Sequence, residues 1–529
     1  MTEVPARVQR DAASAFGGTA AIYGAVLAIA LVPLLAASVP PLSDYPNHLA
    51  RMHLLAELDR SEALASIYTV QWKVLPNLAM DLIVPLLTPL LGLEIAGKLF
   101  LAASLVLLVL GTAAVHRALY GRAGLWPLAM APFLASTVLA YGFLNYLFGV
   151  GLMLCAFAAW LATERGPALT HLALGAVFSL LLFFAHFGAF GAYGLCVLAC
   201  LVAREGRLLS PAGVKALLLE ALPVAPPLLL LLAASPTLHG DLSLLYVGWD
   251  KLRGLLTPVI FLDPPRDLLL FGPLLALLAA ALLAGRLALH RRLRAPLIGL
   301  GLAYLLVPTW LMDNWGNDLR IALPAFALLV AASRPRADHR RTAVVLAAAC
   351  LAGLSLRSAT VTADWARYDA LYDEFRAASR LLPEGARLLP AIDRETPPEP
   401  IAPSAKLAPF YNLAALAVLE RALFLPSLFT ADDRQILAVR EPFRSLDVPH
   451  LKPLPLPILR RAAAPASAAA LSELTVSAKY FHRFAGWPEH FDAVVVFDFG
   501  RHDNPLPGRL SVLRRGSFFT LYDVGPADS

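Results

Sequence analysis

Long apolar runs recur along most of the 529-residue chain and are separated by short polar segments. The first extends from about Gly18 to Val39, and ten more follow, at roughly 94–115, 125–140, 145–163, 168–184, 188–203, 214–235, 268–285, 295–311, 321–333 and 341–356. A run of about 20 residues is long enough to cross the hydrocarbon core of a bilayer as a helix. The pattern predicts a polytopic α-helical membrane protein with about 11 transmembrane helices.

The first apolar run has the flanks of a secretory signal, since Arg7 and Arg10 precede it. It is about 22 residues long, however, and the apolar core of a cleavable signal has about 7–15 residues. We therefore predict that this run is an uncleaved first transmembrane helix.

Basic residues are concentrated in every second connecting loop. These loops are HRALYGRAG (116–124), TERGP (163–167), REGRLLSPAGVK (204–215), GRLALHRRLR (285–294) and SRPRADHRRT (333–342). Because Lys and Arg are retained on the cytoplasmic side, these loops and the N-terminus are predicted to be cytoplasmic. An odd number of spans then places the tail on the outer face. The Ala- and Arg-rich composition suggests a bacterial inner membrane with a periplasmic tail.

One apolar segment, NLAMDLIVPLLTPLL (77–91), breaks this alternation. It is short, it contains Asp81, Pro85 and Pro89, and counting it as a span would invert every later loop. We interpret it as an interfacial or re-entrant helix, because irregular backbone at that depth needs protein or a water-filled cavity beside it. The region 40–93 is then a structured first periplasmic loop with interfacial helices.

The residues after the last run have a different character. YDALYDEFRAASRLL predicts an amphipathic helix, PEGARLLPAI a turn and a strand, and NLAALAVLERALFLP another helix. DAVVVFDFG predicts a buried strand, and RLSVLRRGSFFTLYDV predicts a closing hairpin. The sequence therefore predicts two domains, a transmembrane domain at 1–356 and a C-terminal periplasmic α/β domain at 357–529.

Composition agrees with a membrane protein and excludes several other classes. The chain is 58% hydrophobic and 16% charged, whereas soluble domains carry about 25% charged residues. The net charge of +6 comes mostly from arginines in short loops, so it does not indicate nucleic-acid binding. The four cysteines lie inside apolar runs without the paired spacing of a metal site.

The candidate functional residues lie on the predicted outer face. Asp44, His48 and Arg51 follow the first span at i, i+4 and i+7, so they share one face of a helix. Asp44 precedes Pro46, so it is equally well placed as a helix N-cap. His48 and Arg51 are also compatible with a face toward water or lipid headgroups.

The other candidates come from outer loops that are far apart in sequence: Asp81, His186, Lys251, Arg253, Asp263, Asp318 and Arg320. We expect them to share one outer cavity with Asp44. His186 in an apolar context also fits a buried structural histidine, and Asp263 before two prolines fits a turn residue. Arg320 at the start of a span either snorkels or binds an anion.

The sequence lacks the common motifs for binding soluble nucleotide cofactors and for hydrolytic catalysis. The sequence contains no P-loop, no dinucleotide-binding glycine pattern, no HExxH and no GxSxG. The predicted cytoplasmic loops are too short to bind a nucleotide. An enzyme with this sequence needs a donor that is delivered through the membrane.

The arrangement resembles the GT-C class of integral-membrane glycosyltransferases, and is similar to the protein O-mannosyltransferase and lipid A aminoarabinose transferase superfamily. The segments that carry the resemblance are SDYPNHLAR, NLAMDLIVPLLTPLLGLEIAGKL, HRALYGRAG, YGFLNYLFGVGLML and LPEGARLL. The resemblance covers most of the membrane part.

The resemblance implies inverting transfer of a sugar from a polyprenyl-phosphate donor to a glycan, lipid or protein acceptor on the periplasmic face. By position, the resemblance implies that Asp44 is the first-loop carboxylate, which acts as base or orients the acceptor. Basic side chains hold the lipid phosphate, and the candidates are Arg320, Arg51, Lys251 and Arg253, with His186 or His48 as further donors. Asp81, Asp263 and Asp318 complete the expected substrate-binding set.

One departure concerns the carboxylates. Many GT-C enzymes have two adjacent acidic residues in the first loop, whereas Tyr45 follows Asp44 here. The alternatives are that Asp81 or Asp263 supplies the second carboxylate, or that the protein has lost the activity. Some members use a divalent metal (Mg or Mn) and others none, so no cofactor is assigned. The alternatives are a transporter or lipid flippase, which would place ionisable residues at the bilayer midplane, and a non-catalytic membrane scaffold.

Overall fold

The computed structural model shows a mostly helical protein with a small sheet near its C-terminus. It describes residues 6–122, 124–206, 210–234, 244–245, 248–311, 314–395, 407–430, 434–449, 451–464 and 481–526.

Helices account for most of the first 380 residues. In chain order they are α1 (Ala6–Leu31), α2 (Tyr45–Glu57), α3 (Glu62–Ile67), α4 (Ala79–Leu91), α5 (Leu93–Tyr120), α6 (Thr137–Ala140), α7 (Leu144–Thr163), α8 (Ala168–Ala185) and α9 (Phe187–Glu205). These are followed by α10 (Pro211–Ala221), α11 (Ala225–Ala234), α12 (Gly248–Gly254), α13 (Pro264–Leu283), α14 (Arg294–Leu306), α15 (Asn317–Ala332), α16 (Arg340–Ser379), α17 (Ala417–Glu420) and α18 (Leu456–Ala462).

Within the described residues, seven helical segments are long and apolar enough to cross a membrane: Gly18–Leu35, Leu93–Tyr120, Leu144–Thr163, Ala168–Ala185, Phe187–Arg204, Pro264–Leu283 and Ala337–Ser379. The four other predicted spans contain shorter helices, α6 at 125–140, α10 and α11 at 214–235, α14 at 295–311 and α15 at 321–333. Pro127 and Pro132 lie in a 3₁₀ helix ahead of α6, and Pro223 lies between α10 and α11. The prediction of a polytopic helical membrane protein is confirmed, with seven full-length helices where about 11 runs were counted.

Large apolar side chains are exposed along the long helices. Leu169, Leu283 and Leu351 are examples, and Leu283 is 88% exposed. A soluble monomer rarely exposes contiguous apolar surface on this scale, because water penalises it. Lipid contact removes that penalty, so these faces are those of a protein that lies in a bilayer.

The contacts divide the chain into two compact units. The first unit contains Met1–Leu35, Pro76–Ala79 and Phe100–Thr362, and the second contains Ala36–Leu75, Met80–Leu99 and Ala363–Ser529. Most of the first loop therefore groups with the tail, whereas the sequence placed it with the spans. The division at 356 and 357 stays a prediction from the sequence.

Close packing of α5 on α7 holds part of the first unit together. A Cβ added at Gly151 would lie 2.6 Å from the Leu107 Cβ atom and 2.9 Å from the Leu107 carbonyl carbon. A Cβ added at Gly111 would lie 2.7 Å from the Leu154 Cβ atom. Small residues at both positions let the two backbones approach, as they do in other membrane helix pairs.

Twelve strands lie in the described residues, and those outside the tail have only two or three residues each. In chain order the strands are β1 (Tyr68–Val70), β2 (Leu244–Leu245), β3 (Leu287–Leu289), β4 (Trp310–Leu311), β5 (Asn314–Trp315), β6 (Ser333–Pro335), β7 (Leu388–Ile392), β8 (Leu437–Val439), β9 (Leu454–Pro455), β10 (Ala493–Phe497), β11 (Leu510–Arg515) and β12 (Thr520–Val524).

The second unit is built on a five-stranded sheet of order β11-β12-β10-β7-β9. β7 is parallel to β10 and to β9, whereas β12 is antiparallel to β10 and to β11. The predicted strands in PEGARLLPAI and DAVVVFDFG are β7 and β10, which are buried throughout, and the predicted closing hairpin is β11–β12. The predicted C-terminal α/β fold is confirmed.

Two predicted helices differ from the structure. The span at 341–356 and the amphipathic segment after it form one continuous helix, α16, whose 40 residues extend about 60 Å. NLAALAVLERALFLP forms a 3₁₀ turn, Leu413–Leu416, and only one short α-helix, α17. That segment is buried, so packing rather than helical periodicity decides its conformation.

The first loop pairs with the tail inside the second unit. β1 lies antiparallel to β8, with Tyr68 opposite Val439 and Val70 opposite Leu437. The Tyr68 hydroxyl also donates to the Leu423 carbonyl oxygen at 3.2 Å. The first loop is thus part of the folded core of this unit.

We expect Gly151→Ala to lower the midpoint of thermal unfolding in detergent, because its Cβ would overlap the backbone of α5. Overpacking of this kind costs about 1–3 kcal/mol. Gly191→Ala in α9 is the matched control, since an added Cβ there has nothing within 4 Å. A helix generally favours Ala over Gly, so the control is expected to unfold at the wild-type temperature or above it. Equal losses in the two variants would refute close packing at Gly151.

Candidate functional site

Asp44 lies directly before helix α2 in the second unit. Pro46 occupies the first turn of α2, where the missing N–H costs no hydrogen bond. The Asp44 side chain accepts no capping hydrogen bond from that turn, although the residue occupies the N-cap position. Capping therefore does not account for the carboxylate, which is half-buried between buried neighbours.

Two asparagines hold the segment that carries Asp44. Asn412 Nδ2 donates to Asp44 Oδ1 at 3.1 Å and to the Ser43 carbonyl oxygen at 2.9 Å. Asn412 Oδ1 accepts from Asn47 Nδ2 at 3.1 Å. The fully buried Asn47 also donates to the Ser427 carbonyl oxygen and accepts from the backbone N–H of Phe429. A buried amide with both N–H groups bonded fixes its neighbours in one arrangement.

A cation lies close to Asp44. Desolvation lowers the pKa of the Lys452 ammonium, and the charge of Asp44 acts in the opposite direction. The Lys452 Nζ atom also lies 4.4 Å from the centroid of the Tyr411 ring. A cation over an aromatic face is attracted by the ring, so Tyr411 and Asp44 together hold this ammonium in place.

The other candidates on α2 have different surroundings. The half-buried ring of His48 packs edge-on against Phe429, with 5.1 Å between centroids. Arg51 and Asp81 form an ion pair of 2.8 Å between Nη2 and Oδ2, and their side chains are 1% and 0% exposed. Arg51 also donates to the side chain of Gln435. Both groups of this ion pair are enclosed by protein, so the pair joins α2 to α4.

Within the first unit, Lys251 and Asp318 form a second buried pair. Their Nζ and Oδ2 atoms are 3.0 Å apart, and the Asp318 side chain is fully buried. Lys251 Nζ also donates to the carbonyl oxygens of Tyr304 and Val307. Thr309 and the backbone N–H of Leu319 donate to Asp318. The three N–H bonds of the Lys251 ammonium are thus all used within the unit.

The structure brings His186 and Arg320 together where α7, α9 and α15 begin. Tyr146 in α7 donates to the Arg320 carbonyl oxygen, and its ring lies 4.9 Å from His186. His186 precedes α9 and accepts from the N–H of Gly188 through Nδ1 at 3.0 Å. The Arg320 guanidinium lies 4.3 Å over the Phe143 ring.

Charge at this place favours an anion. Burial first, and then the Arg320 charge, lower the pKa of His186 well below its usual value, so the ring is neutral at pH 7. With Nδ1 accepting, the neutral ring carries its proton on Nε2. Helix N-termini bear partial positive charge, and here several meet beside a guanidinium.

The two remaining candidates lie elsewhere in the first unit. Asp263 is the N-cap of α13 and accepts from the backbone N–H of Arg266 at 3.4 Å, which is the turn role that its two following prolines suggested. Arg253 is exposed on the last turn of the short helix α12.

No group of three His, Cys, Asp or Glu side chains among the described residues is arranged to hold a metal ion. The carboxylates of Asp81 and Asp318 are already paired with internal cations.

The sequence missed Asn47, Asn412 and Lys452. Asn47 lies in the first-loop segment SDYPNHLAR, but it is uncharged, and the sequence analysis selected charged residues. Asn412 and Lys452 lie about 370 and 410 residues after Asp44 in a tail segment and a proline-rich stretch. No local pattern links such distant positions, because their proximity is a product of the tertiary fold.

No protein-family model and no curated protein sequence matches the chain. Its structure is similar to the crystal structure of ArnT from Cupriavidus metallidurans bound to undecaprenyl phosphate, with a TM-score of 0.42 and 12% sequence identity. The match covers 96% of this chain and 99% of the ArnT chain. A likeness this loose assigns no residue role.

Removal of one partner of the buried Arg51–Asp81 pair is expected to destabilise the protein strongly. Asp81→Leu should lower the free energy of unfolding by about 3–5 kcal/mol, because an uncompensated guanidinium stays buried. The double variant Arg51→Met, Asp81→Leu should recover most of that loss, since apolar replacement of both partners is often neutral. Thermal unfolding in detergent measures both. If the single variant is as stable as wild type, the pair is not buried as described.

Proposed function

We propose that this protein is a membrane glycosyltransferase. It transfers a sugar, with inversion, from a polyprenyl-phosphate-linked donor to an acceptor on the periplasmic face of a bacterial inner membrane. Its N-terminus is cytoplasmic and its C-terminal domain periplasmic, as the basic loops indicate. The resemblance of the sequence to the GT-C class supports this assignment, together with the geometry around Asp44.

One observation carries the proposal: Asp44 is a held carboxylate without a capping role. One of its oxygens accepts a hydrogen bond from Asn412, and the first turn of α2 donates none to it. The residue is half-buried. Asp81 and Asp318, by contrast, are enclosed in buried ion pairs. Asp44 is therefore the acidic candidate in the second unit that is both positioned and accessible.

The reaction assigns a proton to this carboxylate. The acceptor hydroxyl attacks the anomeric carbon of the sugar, and the bond from that carbon to the phosphate oxygen breaks. The hydroxyl proton passes to Asp44, and the polyprenyl phosphate leaves with the electron pair. A base within hydrogen-bond reach of the proton contributes about 100-fold to 10,000-fold in rate.

The leaving phosphate carries negative charge that needs donors. We propose that Arg320 binds this phosphate, because a guanidinium matches phosphate geometry with two parallel hydrogen bonds. The neutral His186 beside it supplies an Nε2–H donor. Donors aimed at developing charge lower the barrier most where water is excluded.

Asp44→Asn is expected to reduce transfer about 100-fold or more, because the amide cannot take the acceptor proton. The measurement is release of radiolabel from a mixture of polyprenyl-phosphate sugars by the purified protein in detergent. Asp59→Asn, an exposed acidic residue of the same loop, is the matched control and should keep wild-type turnover. Unchanged turnover in Asp44→Asn would remove the base role. Absence of turnover with every donor, from folded wild-type protein, would remove the enzyme assignment.

Arg320→Gln is expected to raise the KM for the lipid-linked donor about tenfold, because a charge-assisted hydrogen bond to phosphate is lost. Arg320→Lys keeps the charge but loses the paired donors, so it should recover only part of the affinity. Initial rates over a range of donor concentrations separate KM from kcat. A KM equal to that of wild type in both variants would contradict phosphate binding by Arg320.

A further inference from the structure

A polar cavity of about 270 Å³ lies in the first unit, at the C-terminal ends of α5 and α15. The side chains that give it its character are His116, Tyr120, Arg122, Trp126 and Arg334. They come from the end of α5, the turn after it, the start of the 3₁₀ helix Trp126–Phe133, and strand β6. The sequence predicts that the loops 116–124 and 333–342 face the cytoplasm.

Hydrogen bonds to the end of α15 fix the walls of this cavity. His116 Nδ1 lies 2.9 Å from the Ala331 carbonyl oxygen, and the Tyr120 hydroxyl donates to the Ala332 carbonyl oxygen at 2.7 Å. Trp126 Nε1 donates to Ser333 Oγ at 3.0 Å. The last carbonyls of a helix lack partners within the helix, so these side chains satisfy them and are rigidly held.

The two arginines of the cavity are not neutralised. No carboxylate among the described residues forms an ion pair with Arg122 or Arg334, and none lines the cavity. Arg334 lies in β6, paired with Ala288 of β3, and its guanidinium lies 4.6 Å over the Tyr120 ring. Stacking on Tyr120 covers one face of this guanidinium and leaves its N–H edge for a ligand.

His116 adds a directional group. Its ring is 4% exposed, and Nδ1 must carry a proton in order to donate to the Ala331 carbonyl oxygen. Nε2 is then an acceptor in the neutral ring, directed toward Gly124 at the cavity wall, where an added Cβ would lie 3.7 Å from it. Such an acceptor suits a hydroxyl group next to an anion.

We propose that this cavity binds the phosphate group of an anionic phospholipid, with Arg122 and Arg334 on the phosphate oxygens. Two unpaired arginines facing one cavity provide paired N–H donors of the kind that phosphate accepts. The cavity is slightly smaller than the ~300–1,000 Å³ of sites for drug-sized ligands, which fits a headgroup. Basic pockets between membrane helices on the cytoplasmic side recognise anionic lipid headgroups in this way. The inference does not depend on the proposed transferase activity.

The first test compares lipids and the free anion on purified protein. Native mass spectrometry would follow adducts of phosphatidylglycerol and phosphatidylcholine, and thermal unfolding would be recorded with each lipid and with sodium phosphate. We expect phosphatidylglycerol to bind and to stabilise, because a ligand that binds only the folded state raises its stability. Stabilisation by sodium phosphate equal to that by phosphatidylglycerol would identify the site as one for a free phosphate ion. Failure of both to bind would overturn the proposal.

Variants assign the binding to the cavity. The double variant Arg122→Gln, Arg334→Gln should bind phosphatidylglycerol at least about tenfold more weakly, since two charge-assisted contacts are lost. Arg336→Gln removes a neighbouring charge outside the cavity lining and should bind as wild type does. Equal affinity in the double variant and in wild type would overturn the assignment.

A footprint on the wild-type protein covers the case in which the double variant does not fold. Phenylglyoxal modifies accessible arginines, and mass spectrometry of the peptides reports each site. Phosphatidylglycerol, but not phosphatidylcholine, should protect Arg122 and Arg334 and leave Arg336 reactive. Equal modification of all three arginines with either lipid would refute the site.

Discussion

The buried side chain of Asn47 is the interaction on which the candidate active site depends. Both of its N–H groups and its oxygen are bonded to Asn412, Ser427 and Phe429, all from the tail. Asp44 precedes it by three residues and is bonded by the same Asn412. Loss of one hydrogen-bond partner from a buried amide lowers the stability of the fold by about 1–3 kcal/mol. Other arrangements of this segment are therefore disfavoured. The position of the carboxylate is therefore set by residues more than 360 positions away.

Ionisable residues in this chain divide into two kinds by their surroundings. Arg51 with Asp81 and Lys251 with Asp318 form buried pairs in which each charge is neutralised by its partner. Burial of an isolated charge would cost several kcal/mol, so these groups are committed to the fold. Asp44 and Arg320 are only partly covered, and each is held by polar or aromatic contacts. Accessibility of a positioned charge is what distinguishes a candidate for chemistry here.

The sequence predicted the sheet strands β7 and β10 and the β11–β12 hairpin correctly, because buried strands and tight turns have local signatures. It also predicted the polytopic helical fold from run length. Seven of the eleven predicted runs are full-length helices among the described residues, and Pro127, Pro132 and Pro223 interrupt two of the others. The sequence analysis selected charged residues, and it therefore proposed Arg51 and Asp81 as substrate-binding residues. It did not predict that they form an ion pair with each other. The roles of Asn412 and Lys452 could not be predicted from the sequence, because only the tertiary fold brings these residues close to Asp44.

The role of Asp44 can be tested with a structure of the detergent-purified protein bound to a non-hydrolysable polyprenyl-phosphonate sugar. We expect the sugar to lie with its anomeric carbon beside the Asp44 carboxylate, with space between them for one acceptor hydroxyl. A donor analogue bound with its sugar away from Asp44, and with Asp44 still held by Asn412, would contradict this role.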